Sequence, residues 1–295
     1  MPAARTLVKR ALPRPVDAFL TSPLDWVRVR SLRAALREQG LAALEARLAE
    51  IVPDISRQYS EYGVDSEYMT AAVRGLHAFQ VELANRAIAI ARADGDGSLT
   101  IVDIGDSAGT HLRYLTALNP DLEIRGIGVN LDPEAVARIR AGGLEAVEAR
   151  AEDLAEHGIE ADVFMSFETL EHVQDPIRAL RDLSYRTSCR AFVMTVPYVP
   201  RTRVGLFHIR TGRREHAHPE TTHVFELSPP DWRLVLQHAG WAVVEETTYL
   251  QYPRRRPLRA TQPLWARTEQ LGTHEGFWGA ILRRDHSWSD LYSGW

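Results

Sequence analysis

Residues 100–114 read Thr-Ile-Val-Asp-Ile-Gly-Asp-Ser-Ala-Gly-Thr-His-Leu-Arg-Tyr. A β-branched run ends at Asp103, a turn of small residues holds Gly105, Ser107, Ala108 and Gly109, and an amphipathic helix begins near Thr110. Strand, tight loop and helix start form the repeating unit of a doubly wound sheet. In such sheets a ligand sits where the loop crosses the carboxyl ends of the strands, and glycine lets the backbone approach it closely. The spacing here is Gly-x-x-x-Gly and lacks the Gly-x-Gly-x-x-Gly of a dinucleotide site.

Downstream, apolar strand patterns at 99–104, 123–129, 145–149, 162–167 and 191–196 alternate with helical patterns at 110–118, 133–141 and 176–185. That alternation predicts a parallel sheet with crossover helices. Asp132-Pro133 and Asp175-Pro176 each place a capping acid before a proline suited to the first helical position. A helix at 229–239, opened by Ser228 and stopped by Gly240, precedes strands at 241–250 and 276–282. Upstream, Val73, Leu76, Phe79, Leu83, Ala87 and Ile90 define one face of a helix over 66–93, roughly 40 Å long at 1.5 Å per residue. A helix of that length outruns the sheet, so its start is expected near the carboxyl edge. Tyr59, Tyr62 and Tyr68 then either face the ligand or cover a helix hairpin. Residues 24–52 read as helical with a break at Gly40, and residues 1–22 as an arm, because Pro2, Pro13, Pro15 and Pro23 oppose a continuous helix.

Of the 295 residues, 45% are hydrophobic, ample for a core, and the formal net charge of -4 argues against a general nucleic-acid-binding surface. Cys189 is the only cysteine, which excludes an intrachain disulfide and a cysteine zinc cluster and fits a reducing, cytoplasmic setting. Prolines and charges follow Lys9 and Arg10, so neither a secretion signal nor a membrane-spanning helix is expected.

A second stretch, residues 162–176, reads Asp-Val-Phe-Met-Ser-Phe-Glu-Thr-Leu-Glu-His-Val-Gln-Asp-Pro. With the acid two residues before Gly105, it resembles class I S-adenosylmethionine-dependent methyltransferases of the small-molecule, ubiquinone-biosynthesis type. The resemblance covers residues 99–250. It implies an α/β fold, a Rossmann-like doubly wound sheet of seven strands with the last antiparallel, here with an N-terminal helical extension. Residues 1–63 would be the arm and extension, and 64–295 the methyltransferase domain, with lid insertions at about 198–228 and 251–273. The implied cofactor is S-adenosyl-L-methionine, leaving as S-adenosyl-L-homocysteine.

In that reading Asp103, Gly105, Ser107 and Gly109 meet the methionine portion of the cofactor. Ser107 stands where the family has glycine, which it tolerates only outside positive φ. Asn130 replaces the acid that accepts from the ribose, while Asp132 reads first as a helix cap. Glu152 or Asp153 would accept from the adenine amino group, or is a solvated cap. Ser166 and Phe167 line the cofactor. Glu171 and His172 lie beside the transferring methyl, or orient the loop, and in some relatives the matching Glu helps hold a divalent cation. A histidine there, or His223, suits removal of a proton from a hydroxyl, since its ordinary pKa is about 6.5.

The stretch 197–227 is too long for a plain connection, and contains Tyr198, His208, Arg210, His216, His218 and His223. Arg254 and Arg255 follow the next strand. Topology brings both loops over one mouth, where guanidinium forks suit a small acceptor carrying phosphate or carboxylate; substrate contacts are therefore expected from Tyr198, His208, Arg210, Arg254 and Arg255. His216, His218 and His223 lack strict ligand spacing, so no metal is expected. The aromatic tail with Trp288, Tyr292 and Trp295 docks on the body or on another subunit, which leaves a homodimer open. The expected function is methylation of a sugar, lipid-linked or natural-product acceptor, at oxygen. The rivals are a catalytically silent methyltransferase-like scaffold and a nucleic-acid methyltransferase.

Overall fold

The computed structural model describes residues 14–60, 63–93, 97–214, 216–253 and 276–292. Three helices, α1 (Arg14–Glu38), α2 (Ala42–Ile51) and α3 (Glu67–Ala93), lead into β1 (Leu99–Ile104). Then α4 (Thr110–Leu118), β2 (Ile124–Asn130), α5 (Pro133–Ala141), β3 (Glu145–Glu148), β4 (Val163–Phe167), α6 (Pro176–Arg186) and β5 (Ala191–Pro197) follow in the predicted alternation. A small hairpin of β6 (Arg203–Val204) and β7 (Phe225–Glu226), with α7 (Phe207–Arg210) between its strands, precedes α8 (Pro229–His238), β8 (Trp241–Leu250) and β9 (Gly276–Arg284).

The main sheet has seven strands in the order β3-β2-β1-β4-β5-β9-β8. Strands β1 to β5 are parallel, and β9 is antiparallel to both β5 and β8. The carboxyl end of β8 therefore lies at the same edge as those of β1 and β4. Period-two alternation sends Ile101, Val163 and Val193 into one core and Val102, Phe164 and Phe192 into another on the opposite face. A sheet buried on both sides needs such nearly unbroken apolar runs.

The N-terminal helices share the first core with the sheet. Helix α3 packs on β4, β5 and β9, and α1 and α2 pack on α3. Leu32, Leu36 and Leu48 join the cluster that holds Ile101 and Val163, each such side chain contributing about 1.5–3 kcal/mol by leaving water. Close packing of these layers needs Gly75, where a Cβ would sit 2.5 Å from the Tyr249 hydroxyl.

Sequence and structure differ at the N-terminus. Helix α1 already begins at Arg14 and runs through Pro15 and Pro23 instead of starting after an arm. Pro15 lies in the first turn, where its missing N–H has no intrahelical partner to lose. Pro23 removes one internal hydrogen bond, a loss set against the packing of the later turns of α1 on α3. The break at Gly40 is present, at φ 77°. The acids before both prolines do cap: Asp132 accepts from the Glu134 amide and Asp175 from the Arg178 amide. Among the described residues no helix is long and apolar enough to cross a membrane.

Candidate functional site

A cavity of about 540 Å³ opens at the carboxyl edge, between the ends of β1, β2 and β4, the first half of α3 and the 198–228 insertion. As the length of α3 predicts, Met69, Val73 and Leu76 from its early turns form one wall. Tyr59 also lines the cavity, whereas Tyr68 does not and instead lies under the Arg28 guanidinium at 5.4 Å. Tyr62 falls outside the described residues.

At one end of the cavity is the loop after β1. Gly105 has φ 90°, and a Cβ there would lie 2.1 Å from Thr169 Oγ1, so only glycine lets the loops after β1 and β4 meet. Ser107 lines the cavity and lies outside positive φ, as its place in the turn requires. Asp103 is 2% exposed, and its Oδ2 has no hydrogen-bond partner; the nearest imidazole nitrogen, His111 Nδ1, is 3.4 Å away. Asp106 Oδ1 accepts from the amides of Ala108 and Gly109, while Oδ2 is buried without a partner. Burial first, and then the nearby Asp103 carboxylate, push the Asp106 carboxyl up to about 7.

Asn130 lines the same end, but both ends of its amide hold backbone: Nδ2 donates to Asp106 O at 2.8 Å and Oδ1 accepts from the Asp132 amide at 2.8 Å. Asp132 caps α5 through Oδ1, and its Oδ2 accepts from the Ser60 hydroxyl.

Beside the loop after β1, the loop after β4 meets the 198–228 segment. The amides of Val224 and Phe225 both donate to Glu171 O, which ties the hairpin to this loop. The Glu171 side chain is 1% exposed, and neither carboxyl oxygen has a hydrogen-bond partner. Burial and then the Glu168 carboxyl raise its proton affinity well above the carboxylate range. Glu168, at φ 51°, lines the cavity too, and burial pushes it up to about 8. His172 Nδ1 lies 3.1 Å from Thr222 O. A carbonyl only accepts, so this nitrogen carries the proton and Nε2 keeps its lone pair. Burial, reinforced by His223, lowers the His172 ring to about 4. Its ring meets that of His223 edge-on at 4.8 Å, and His223 Nδ1 is 2.9 Å from Glu226 Oε1. Ligand-type atoms of Glu171, His172 and His223 lie within 4.8 Å of one another, a set able to close on one divalent cation. His216 and His218 are not part of it.

Other predicted residues lie elsewhere. Glu152 and Asp153 do not line the cavity: Glu152 accepts from the Gln174 amide and Arg150, and Asp153 faces Arg178. Phe167 lines the cavity, but Ser166, fully buried in β4, and Gly109 do not. Tyr198, His208 and Arg210 are also off the lining; Arg210 is exposed and donates to Val204 O. Arg254 and Arg255 lie outside the described residues. Among the described residues no arginine lines the cavity, so the guanidinium-lined mouth is not found there.

The sequence profile of a methyltransferase domain matches residues 67–246. The chain belongs to the methyltransferase-domain family. It is an S-adenosylmethionine-dependent methyltransferase of class I. Among similar solved structures are the [4+2]-cyclase SpnF, 14% identical with TM-score 0.51 over 85% of this chain and 97% of that one, and a protein assigned as a sarcosine dimethylglycine methyltransferase from Galdieria sulphuraria, 12% identical with TM-score 0.51 over 82% and 98%. At these identities the likeness is one of fold. No curated protein matches the chain by sequence.

The cavity fits this methyltransferase's cofactor. S-adenosylmethionine carries an ammonium and a sulfonium, and the buried, unpartnered oxygens of Asp103 and Asp106 beside the Gly105 backbone offer acceptors to a cation. Sequence reasoning missed Glu168, Gln80, His77 and His111 as cavity residues. The available signal was polar side chains inside an apolar helix face: His77 and Gln80 interrupt the Val73, Leu76, Phe79, Leu83 stripe.

Proposed function

We propose that this methyltransferase transfers its methyl group to a hydroxyl of a small acceptor, with the donor held at the Asp103 end of the cavity and the acceptor at the Glu171–His172 end. The observation that carries the reading is His172: a neutral ring, unprotonated at Nε2, on the wall of the cavity that also contains Asp103. Asp103, Asp106, Gly105 and Ser107 would hold the methionine portion, with Asn130 and Asp132 near the ribose. When bound, S-adenosylmethionine supplies an electrophilic methyl on a sulfonium. The chain then has to orient an oxygen lone pair and remove its proton. His172 Nε2 accepts that proton, and its Nδ1–H stays on Thr222 O, keeping the ring aimed while charge develops on it. The half-buried Glu168, raised to about 8, can donate to an acceptor oxygen without adding charge, and burial favours the neutral form of Glu171 as well.

This reading departs from the anionic acceptor expected from the arginine-rich insertions. Carboxyl and imidazole groups line the described cavity, which supports a neutral, hydroxyl-bearing molecule. A second reading has its own observation: the clustered ligand atoms of Glu171, His172 and His223 would hold a divalent cation that orients the hydroxyl instead. The test is methyl transfer to a panel of sugars, phenols, amines and phosphate esters, wild type against His172→Ala. Transfer to hydroxyls, lost in the variant, supports the proposal. Transfer to amines alone, or S-adenosylhomocysteine binding with no transfer to any acceptor, overturns it.

A further inference from the structure

We propose that Gln80 is a positioning residue for the donor end of the cavity: clamped by Thr195, it fixes the tautomer of His111 and so keeps Asp103 free to accept. The inference rests on the reading of Asp103 as the carboxylate that meets the donor.

Gln80 lies on the buried face of α3, 2% exposed, and reaches the cavity wall. Its Nε2 donates to Thr195 Oγ1 at 3.1 Å, and its Oε1 lies 2.9 Å from His111 Nε2. The Thr195 hydroxyl also faces the Glu168 carboxyl and holds down its proton affinity. The Thr195 oxygen is the acceptor in its contact with the Gln80 amide nitrogen. That orients the amide with its oxygen toward His111. An amide oxygen only accepts, so His111 Nε2 carries the proton. The ring has little freedom to turn, with His77 edge-on at 4.7 Å and Phe167 at 4.9 Å.

The consequence falls on Asp103. In this tautomer Nδ1 presents a lone pair, not an N–H, across 3.4 Å to Asp103 Oδ2. Oδ2 is buried without a hydrogen bond, and remains an acceptor for a ligand's N–H. In the opposite tautomer, Nδ1–H would occupy that oxygen and compete with the ligand. Thr195 on β5, Gln80 on α3, His111 on α4 and Asp103 on β1 thus form one chain across the floor of the cavity, through a helix that precedes the sheet.

The experiment uses the full chain and two readouts: calorimetric titration with S-adenosylhomocysteine, and long-range proton–nitrogen NMR of the imidazoles in the unliganded protein. Gln80→Leu and Thr195→Val are expected to shift His111 toward the Nδ1–H tautomer and to raise the dissociation constant about 5- to 20-fold, the scale of one competing hydrogen bond. Thr195→Ser keeps the hydroxyl and should match wild type in both readouts. Should Gln80→Leu fail to fold, Thr195→Val against Thr195→Ser carries the test. An unchanged His111 tautomer, or binding within twofold of wild type in the folded variants, overturns the proposal. If the wild type itself does not bind S-adenosylhomocysteine, the donor-site reading fails instead, and the tautomer readout still decides the role of Gln80.

Discussion

The proposed donor and acceptor sides of the cavity are built in different ways. At the donor end, the contacts that set the site run between β1, β2 and their loops, and much of the work is done by backbone: Gly105 N to Val129 O, and the Ala108 and Gly109 amides to Asp106. At the acceptor end, Glu171 and His172 follow β4, but their partners Thr222, His223 and Val224 come from the segment between β5 and α8, outside the main sheet. In the proposed assignment, then, the donor contacts belong to loops of the sheet itself, whereas the groups assigned to the acceptor draw their partners from residues 222–226.

The sharpest way to break this division is to remove one group from each end. His172→Ala should lower kcat by roughly 10²-fold, the low end of the usual worth of a positioned base because burial makes this ring a weak one, with S-adenosylhomocysteine affinity within about twofold of wild type. Because burial lowers this ring to about 4, the base stays unprotonated through neutral pH, and an acid limb in kcat/KM set by His172 belongs near pH 4. Asp103→Asn should do the reverse, raising the S-adenosylhomocysteine dissociation constant by roughly 10- to 100-fold, as for loss of a hydrogen bond to a charged group. Steady-state kinetics and calorimetry on both variants check this. Equal losses of affinity in the two would mean that the ends are one site.

A smaller effect separates the two chemistries open to the acceptor end. If His172 is the base, removal of divalent ions with EDTA leaves turnover within about twofold of its starting value, a change below the scale of a catalytic group. Loss of turnover that magnesium restores in wild type, but not in Glu171→Gln, would move the role to a bound cation.

The same division explains what could be read in the sequence. The alternation from 99 to 196 and the two Asp-Pro caps were legible because strand period and helix caps are local properties, whereas the order of the strands is set by packing between distant segments. That Asp103 and Gly105 reach one cavity was legible because the end of β1 and the turn after it are contiguous in sequence. Whether Glu152 and Asp153 face a ligand or solvent could not be read locally, since only the fold shows that Arg150, the Gln174 amide and Arg178 engage them away from the cavity lining. Helix α1 was cut short by counting prolines, where packing on α3 decides. Gln80 and His111 gain meaning only when α3 is laid across the sheet, because their partners Thr195 and Asp103 lie on different strands.

The smallest expected effect concerns the charge of the donor end without ligand. Asp106 is raised to about 7 in the folded protein from an ordinary value of 3.8, by burial and by Asp103. Between those two values the native state holds a proton that the unfolded chain has released. Stability therefore falls as pH rises through this window, by up to about 1.4 kcal/mol per pH unit for one group. Asp106→Asn keeps Oδ1 for the amides of Ala108 and Gly109 but removes the titration. Urea midpoints measured from pH 4.5 to 7.5 should accordingly decline less steeply in the variant than in wild type. Equal slopes would show that Asp106 titrates alike in both states, so that burial beside Asp103 does not raise it in the folded protein.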